Sequence, residues 1–375
     1  MDTNQNTDPD FYIKKIKDEN QRKYNVFFVE WHIPLSDKIL QEMAKYEIVK
    51  FCILFNQPID NLPSGLKSLT FGDKFNQPVD NLPSGLKSLT SGYSFNQKVD
   101  KLPSGLQSLT FGNEFNQQVD NLPSGLLSLT FGYCGHFNKP VDNLPCGLLS
   151  LTFGFCSQFN KPVDFLPSGL QSLKFGRDFN QPVENLPSGL QSLTFGDHFN
   201  QTVDNLPSGL QELTFFDDFN QPVDNLPSGL QSLILRSIFN EPINNLPSGL
   251  QSLILGNDFN QQVDCLPAGL QNLTFGSKFN QPVDNLPSGL KSLTFKGCFN
   301  QPVDFLPAGL QSLEFGSIFN QSVDNLPSGL KSLTFGYRFN KQVNNLPLGL
   351  KSLTISKNYR KPLDNLPVSV EIIRY

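Results

Sequence analysis

Residues 55–72 read FNQPIDNLPSGLKSLTFG, and residues 75–92 read FNQPVDNLPSGLKSLTSG. The unit returns almost unchanged along the chain. Its opening Phe-Asn pair stands at Phe55, Phe75, Phe95, Phe115, Phe137 and Phe159, then every 20 residues from Phe179 to Phe339, 15 times in all. Only the units opening at Phe115 and Phe137 have 22 residues. A fixed period with local changes of length predicts one structural coil per unit, with the additions in a tolerant loop. Those loops lie between Gly132 and Phe137 and between Gly154 and Phe159.

Within a unit, Leu66, Leu69 and Phe71 have the LxxLxL spacing of a short strand whose side chains alternate between core and solvent. Ser68 and Thr70 then face outward. Gly72 permits a turn, Phe75 returns to the core in an aromatic column, and Asn76 can bond to the backbone of neighbouring turns. Pro63 favours an extended segment on the outer face, and 20 residues leave no room for a helix as well. The expected fold is a β-solenoid: a leucine-rich-repeat-like superhelix with a parallel sheet on one face and mostly irregular, polyproline-like segments on the other.

Stepping the core spacing by 20 places Tyr46, Val49 and Phe51, and before them Val26, Val29 and Trp31, in degenerate strands. At the other end Val370, Ile373 and Tyr375 fit. Ser36 can cap a short helix presenting Ile39, Leu40, Met43 and Tyr46, which would shield the first coil. Residues 1–46 are thus expected to be a tail and capping segment, with a strand at about 25–31 and a helix at about 36–45. Residues 47–375 are expected to form a solenoid of about 16 repeats.

A chain of 375 residues would ordinarily divide into two or three globular domains, but coils that pack on their neighbours override that prior. Charged residues make up 17% and the net charge of −5 is evenly spread, which argues against nucleic acid or an anionic membrane as partner. Six cysteines without a CxxC or a regular framework suggest reduced thiols. The N-terminal stretch lacks the apolar core of a signal peptide, and no run of 18 apolar residues occurs. The expected location is intracellular, in the cytoplasm.

With FNQPVDNLPSGL as its core, the sequence resembles the FNIP repeat family of social amoebae and of large DNA viruses infecting amoebae, over about Phe55 to Leu366. The LPSGLQSL portion is also similar to the 20-residue leucine-rich repeats of bacterial effectors. The resemblance implies a leucine-rich-repeat-like fold and a protein-interaction role, without an activity. Some viral members join the repeats to an F-box, which docks on a ubiquitin ligase scaffold while the repeats select the substrate. Residues Ile33 to Leu40 resemble the start of an F-box, but only about a dozen residues separate them from the next strand, too few for its remaining helices. A degenerate F-box and a plain cap both stay open.

Catalysis needs a unique constellation, whereas most positions here are repeated and His32, His136 and His198 are isolated in sequence. We therefore expect no enzyme and no cofactor. The Asp column beginning Asp60, Asp80, Asp100 could suggest calcium, but Asn244 and Asn344 occupy the same place, which favours a turn role and no metal. The outward Ser-x-Thr lattice resembles an ice-binding face, but Lys174, Ile234, Ile254 and Glu314 replace the Thr, while Glu212 and Asn272 replace the Ser. Scattered exceptions on a generic scaffold instead suit a protein ligand. The most variable positions precede each Phe-Asn, including Tyr93, Arg177, Ile238, Tyr337 and Arg338. Candidate partner-binding residues are therefore Tyr93, Lys174, Arg177, Glu212, Ile234, Ile238, Ile254, Glu314, Tyr337 and Arg338. The partner is a protein, with ubiquitin ligase components among the candidates. The competing reading is a structural array with no dedicated ligand.

Overall fold

The structure, a computed structural model, describes residues 26–29, 34–363, 366–367 and 370–375. Trp31, His32 and Ile33 lie outside the described residues, as does the tail before Val26. The unit forms the coil its pattern predicts. In the Phe55 unit, Leu66, Leu69, Phe71 and the following Phe75 are all buried, and each later coil repeats this inward set with few changes. Burying each such side chain contributes roughly 1.5–3 kcal/mol.

Short parallel strands stack coil on coil. Leu69 sits opposite Leu89, which sits opposite Leu109, and Thr70, Thr90 and Thr110 line up beside them on the outward face. Strand Ile48–Phe51 pairs with Ser68–Thr70 ahead of this series. Two ring columns run behind the sheet. Phe71 stacks on Phe75 within its turn at 3.7 Å, and Phe75 stacks on Phe95 of the next at 6.2 Å. Such pairs add about 0.5–1.5 kcal/mol beyond the area they bury.

The chain forms two compact units. The first comprises Met1–Gln181 with Asn185–Leu190, and its described strands run from Val26–Val29 to Ser172–Lys174. The second comprises Pro182–Glu184 with Gln191–Tyr375, and its strands run from Ser192–Thr194 to Glu371–Arg374. Each is a leucine-rich-repeat-like β-solenoid with all of its pairings parallel.

Two registers differ from simple steps of 20. Strand β1 (Val26–Val29) pairs so that Phe27, not Val29, lies opposite Val49, while Val29 lies opposite Phe51. This coil is two residues longer and contains helix α1 (Asp37–Met43). The Ser36 side chain accepts the Ile39 N–H at 3.4 Å to cap α1, and Ile39 and Met43 are buried. At the other end, Ile372 rather than Ile373 lies opposite Leu353. Side chains alternate with period two, so the one-residue slip exchanges the faces of the last strand.

Asn76 makes the expected bonds to neighbouring turns without being buried. It is half-exposed and works as one rung of a ladder: Asn56 Oδ1 accepts the Asn76 N–H, and Asn76 Oδ1 accepts the Asn96 N–H, both at 2.9 Å. Gln77 Nε2 donates to the same Asn56 Oδ1 at 3.1 Å, which accounts for the Gln that usually follows this Asn.

Candidate functional site

A repeat array acquires identity through its exceptions, so their placement defines the candidate site. The ten residues singled out from sequence divide between the two units. Tyr93, Lys174 and Arg177 belong to the first unit, and the other seven to the second. All are exposed except Ile234 and Ile254, which are half-buried.

In the first unit, Lys174 lies opposite Thr152 on the strand face, and Arg177 leaves the same strand at the rim. Tyr93 stands elsewhere, in a group the sequence did not expose. Glu114 is placed beside it, and His136 Nδ1 lies 3.3 Å from Glu114 Oε2. The Glu114 charge, and then its hydrogen bond, hold the Tyr93 phenol above its usual range. Successive rim loops thus bring together three ionisable groups that lie about 20 residues apart in sequence.

The two 22-residue coils carry further exceptions that sequence reading missed. Leu127 and Leu149 replace the usual Gln or Lys at the strand entrance and are exposed, and the Leu149 N–H donates to the Leu127 carbonyl at 2.9 Å. At the strand exit, Tyr133 stacks on Phe155 at 6.1 Å. Two neighbouring coils therefore have apolar or aromatic pairs at both ends of their strands. The available signal was that these substitutions coincide with the two long units.

In the second unit, Ile234 and Ile254 are direct cross-strand neighbours on the outward face. Ile238 follows on the rim, 45% exposed. Arg236 in the same loop and Phe216 in the loop of the preceding coil stand where the repeat normally has Gly, with the guanidinium 4.7 Å from the ring centroid. Glu212 is on the strand face between Ser192 and Ser232 and accepts from the Ser192 hydroxyl at 3.2 Å. Glu314 lies between Thr294 and Thr334, and Tyr337 and Arg338 occupy the rim of the following coil.

The Asp column is tied from coil to coil by amides. Asn81 Nδ2 donates to Asp60 Oδ1 at 3.2 Å, Asn225 to Asp204 at 3.0 Å and Asn325 to Asp304 at 3.0 Å. Where Lys101 replaces this Asn, its ammonium lies 3.7 Å from the Asp80 carboxylate. Phe165 and Phe305 take the same place and are each 72% exposed. Among the described residues, no group of three or more His, Cys, Asp or Glu side chains is arranged to hold a metal ion. An open depression of about 360 Å³ is lined by Lys98, Asp100, Asn116, Gln117, Gln118 and Lys139, a polar wall unlike the mostly apolar lining of small-molecule sites. No helix among the described residues is long and apolar enough to cross a membrane.

The sequence pattern of the FNIP Repeat family matches residues 55–134, 159–237 and 239–344 in overlapping segments. Among solved structures, the chain is similar to CroV588, described as a novel circular LRR protein. The two are 33% identical with a TM-score of 0.66, over 94% of this chain and 69% of that one. YopM from Yersinia enterocolitica is 19% identical with a TM-score of 0.54, over 95% of this chain and 92% of that one. A chain of the Drosophila Toll–Spatzle complex is 16% identical with a TM-score of 0.59, over 91% of this chain and 51% of that one. These last two likenesses are of fold alone. No curated protein sequence matches the chain significantly.

Proposed function

The chain belongs to the FNIP repeat family, and from that premise we propose that it is a non-catalytic scaffold that binds a partner protein along its strand face and the adjoining rim. The observation carrying this reading is that apolar exceptions occupy matching places on neighbouring coils. Leu127 with Leu149, Tyr133 with Phe155, and Ile234 with Ile254 each form a cross-coil pair in an otherwise polar repeat. Exposed Tyr and Arg side chains are the kind of anchor that dominates protein interfaces, and contiguous exposed aliphatic pairs add apolar surface that a partner would cover.

A finer version makes the chain the substrate-recognition part of a ubiquitin ligase adaptor. Its support is the Pro34-Leu35 lead into α1. Against it, that helix lies between the paired strands β1 and Ile48–Phe51, so the segment contributes to a coil.

The test is affinity purification from cells of the native host type, using the full chain, a Leu127→Glu/Leu149→Glu variant and an Ile234→Glu/Ile254→Glu variant. A partner lost from one variant alone supports binding on that face. Equal recovery by all three removes both pairs from the interface, and no specific partner for any favours a structural array without a dedicated ligand. Ligase scaffold proteins, recovered by the full chain and lost with Leu35→Glu, would support the adaptor version.

A further inference from the structure

The two long coils also place two cysteines side by side. Gly132-Tyr133-Cys134-Gly135 and Gly154-Phe155-Cys156-Ser157 are equivalent loop segments in successive coils. The Cys156 N–H donates to the Tyr133 carbonyl at 2.8 Å, and the Gln158 N–H donates to the Gly135 carbonyl at 3.1 Å. These bonds flank Cys134, and the Tyr133–Phe155 stack stands beside them. They hold the loops near the spacing of paired strands, about 4.8 Å, within the 4.4–6.8 Å Cα separation a disulfide accepts. Cys134 is exposed and Cys156 half-buried, and both are free thiols.

We infer that Cys134 and Cys156 form a reversible disulfide that clips the rim loops of the two long coils together when low-molecular-weight disulfide, such as oxidised glutathione, accumulates. Exposure makes Cys134 the entry point. Its thiolate attacks one sulfur of the oxidant RSSR, giving a mixed disulfide and releasing RS⁻. The Cys156 thiolate then attacks Cys134 Sγ, closing the Sγ–Sγ bond and expelling the second RS⁻. The two cysteine protons end on the two departing thiolates, so the dithiol is oxidised while RSSR is reduced to 2 RSH. The hydrogen bond to Cys156, followed by burial, raises the Cys134 thiol above its usual range. That lowers the thiolate fraction available for attack, so closure of the bridge is slow and needs a sustained excess of the oxidant. The bond would join the loops carrying Tyr133 and Phe155, yet its formation can be read without any partner.

The reduced full-length protein is incubated over a series of reduced-to-oxidised glutathione ratios, its remaining thiols are alkylated, and it is digested with chymotrypsin without reduction. Chymotrypsin is chosen because Lys139 precedes Pro140, a bond trypsin spares. The expected product is a linked peptide pair containing Cys134 and Cys156, lighter by two hydrogens than the separate thiol peptides and released by dithiothreitol. In Cys156→Ser, the Cys134–glutathione adduct should accumulate severalfold over the unaltered chain. Recovery of Cys134 and Cys156 as separate glutathione adducts, as free thiols, or with Cys134 joined to Cys146 would overturn the inference. Equal adduct levels in the variant and the unaltered chain would do the same.

Discussion

Asn116 accepts the backbone N–H of Asn138 through its side-chain Oδ1 at 3.1 Å, while its own N–H donates to Asn96 Oδ1 at 3.0 Å. The rung therefore satisfies a half-buried backbone donor in the next coil. Asn116→Ala should cost about 1–2 kcal/mol, because it leaves that donor without its acceptor. Asn116→Asp keeps the oxygen and should recover most of the loss. Coils depend chiefly on their neighbours, so the earliest sign should be faster hydrogen exchange at the Asn138 amide. Equal destabilisation by Ala and Asp, with Asn138 still protected, would show that the ladder contributes little.

The repeated glycines are not equivalent. A Cβ at Gly72 would stand 1.8 Å from the Cys52 carbonyl oxygen, whereas a Cβ at Gly65 would meet nothing within 4 Å. Gly72→Ala should therefore destabilise by about 1–3 kcal/mol or more through backbone overlap. Gly65→Ala should be neutral or stabilise by up to about 1 kcal/mol. In the second unit other residues take the place of this turn Gly: Ser237 after Arg236 adopts φ 39° and Gly297 after Lys296 adopts φ 69°, whereas Asp217 after Phe216 keeps a negative φ. Comparing urea midpoints of the two Ala variants checks the contrast, which fails if they coincide.

The coil was legible because Leu66, Leu69, Phe71 and Phe75 satisfy one burial rule at a fixed period. The terminal registers were not, since β1 and the last strand depart from that period and only pairing fixes which residue faces Val49 or Leu353. Ile234 and Ile254 could be found by reading down one column of the repeat. Tyr93, Glu114 and His136 could not be joined as easily, because they meet across three loops at different loop positions, and one of those loops carries an insertion. Leu127 and Leu149 were visible as exceptions, but a Leu before a leucine-rich strand blends into the core pattern until its exposure is known.

Calcium should leave the thermal midpoint unchanged, as should a chelator. Along much of the column each Asp Oδ1 already accepts an amide from the next coil, as in the Asn121–Asp100 and Asn185–Asp164 pairs at 3.3 and 3.1 Å. An ion would have to displace those bonds. A ligand present at 100 times its dissociation constant stabilises by about 2.7 kcal/mol, enough to register in a thermal scan. A rise in midpoint with calcium, reversed by the chelator, would return the column to the list of metal sites.

Phe165 and Phe305 stand where Asn elsewhere donates to the preceding coil's Asp, and both rings are largely exposed. Phe165→Asn and Phe305→Asn supply the amide that Asp142 and Asp284 would meet in an ordinary coil. Each should raise stability by a few tenths to about 1 kcal/mol, measured by chemical denaturation. Retaining a residue that forgoes this gain is expected where it serves an interface. If these rings anchor the partner, the same substitutions should weaken binding tenfold or more even as the fold strengthens. A gain in stability with affinity unchanged would assign the two rings to drift on the outer turns and restrict the interface to the strand face and rim.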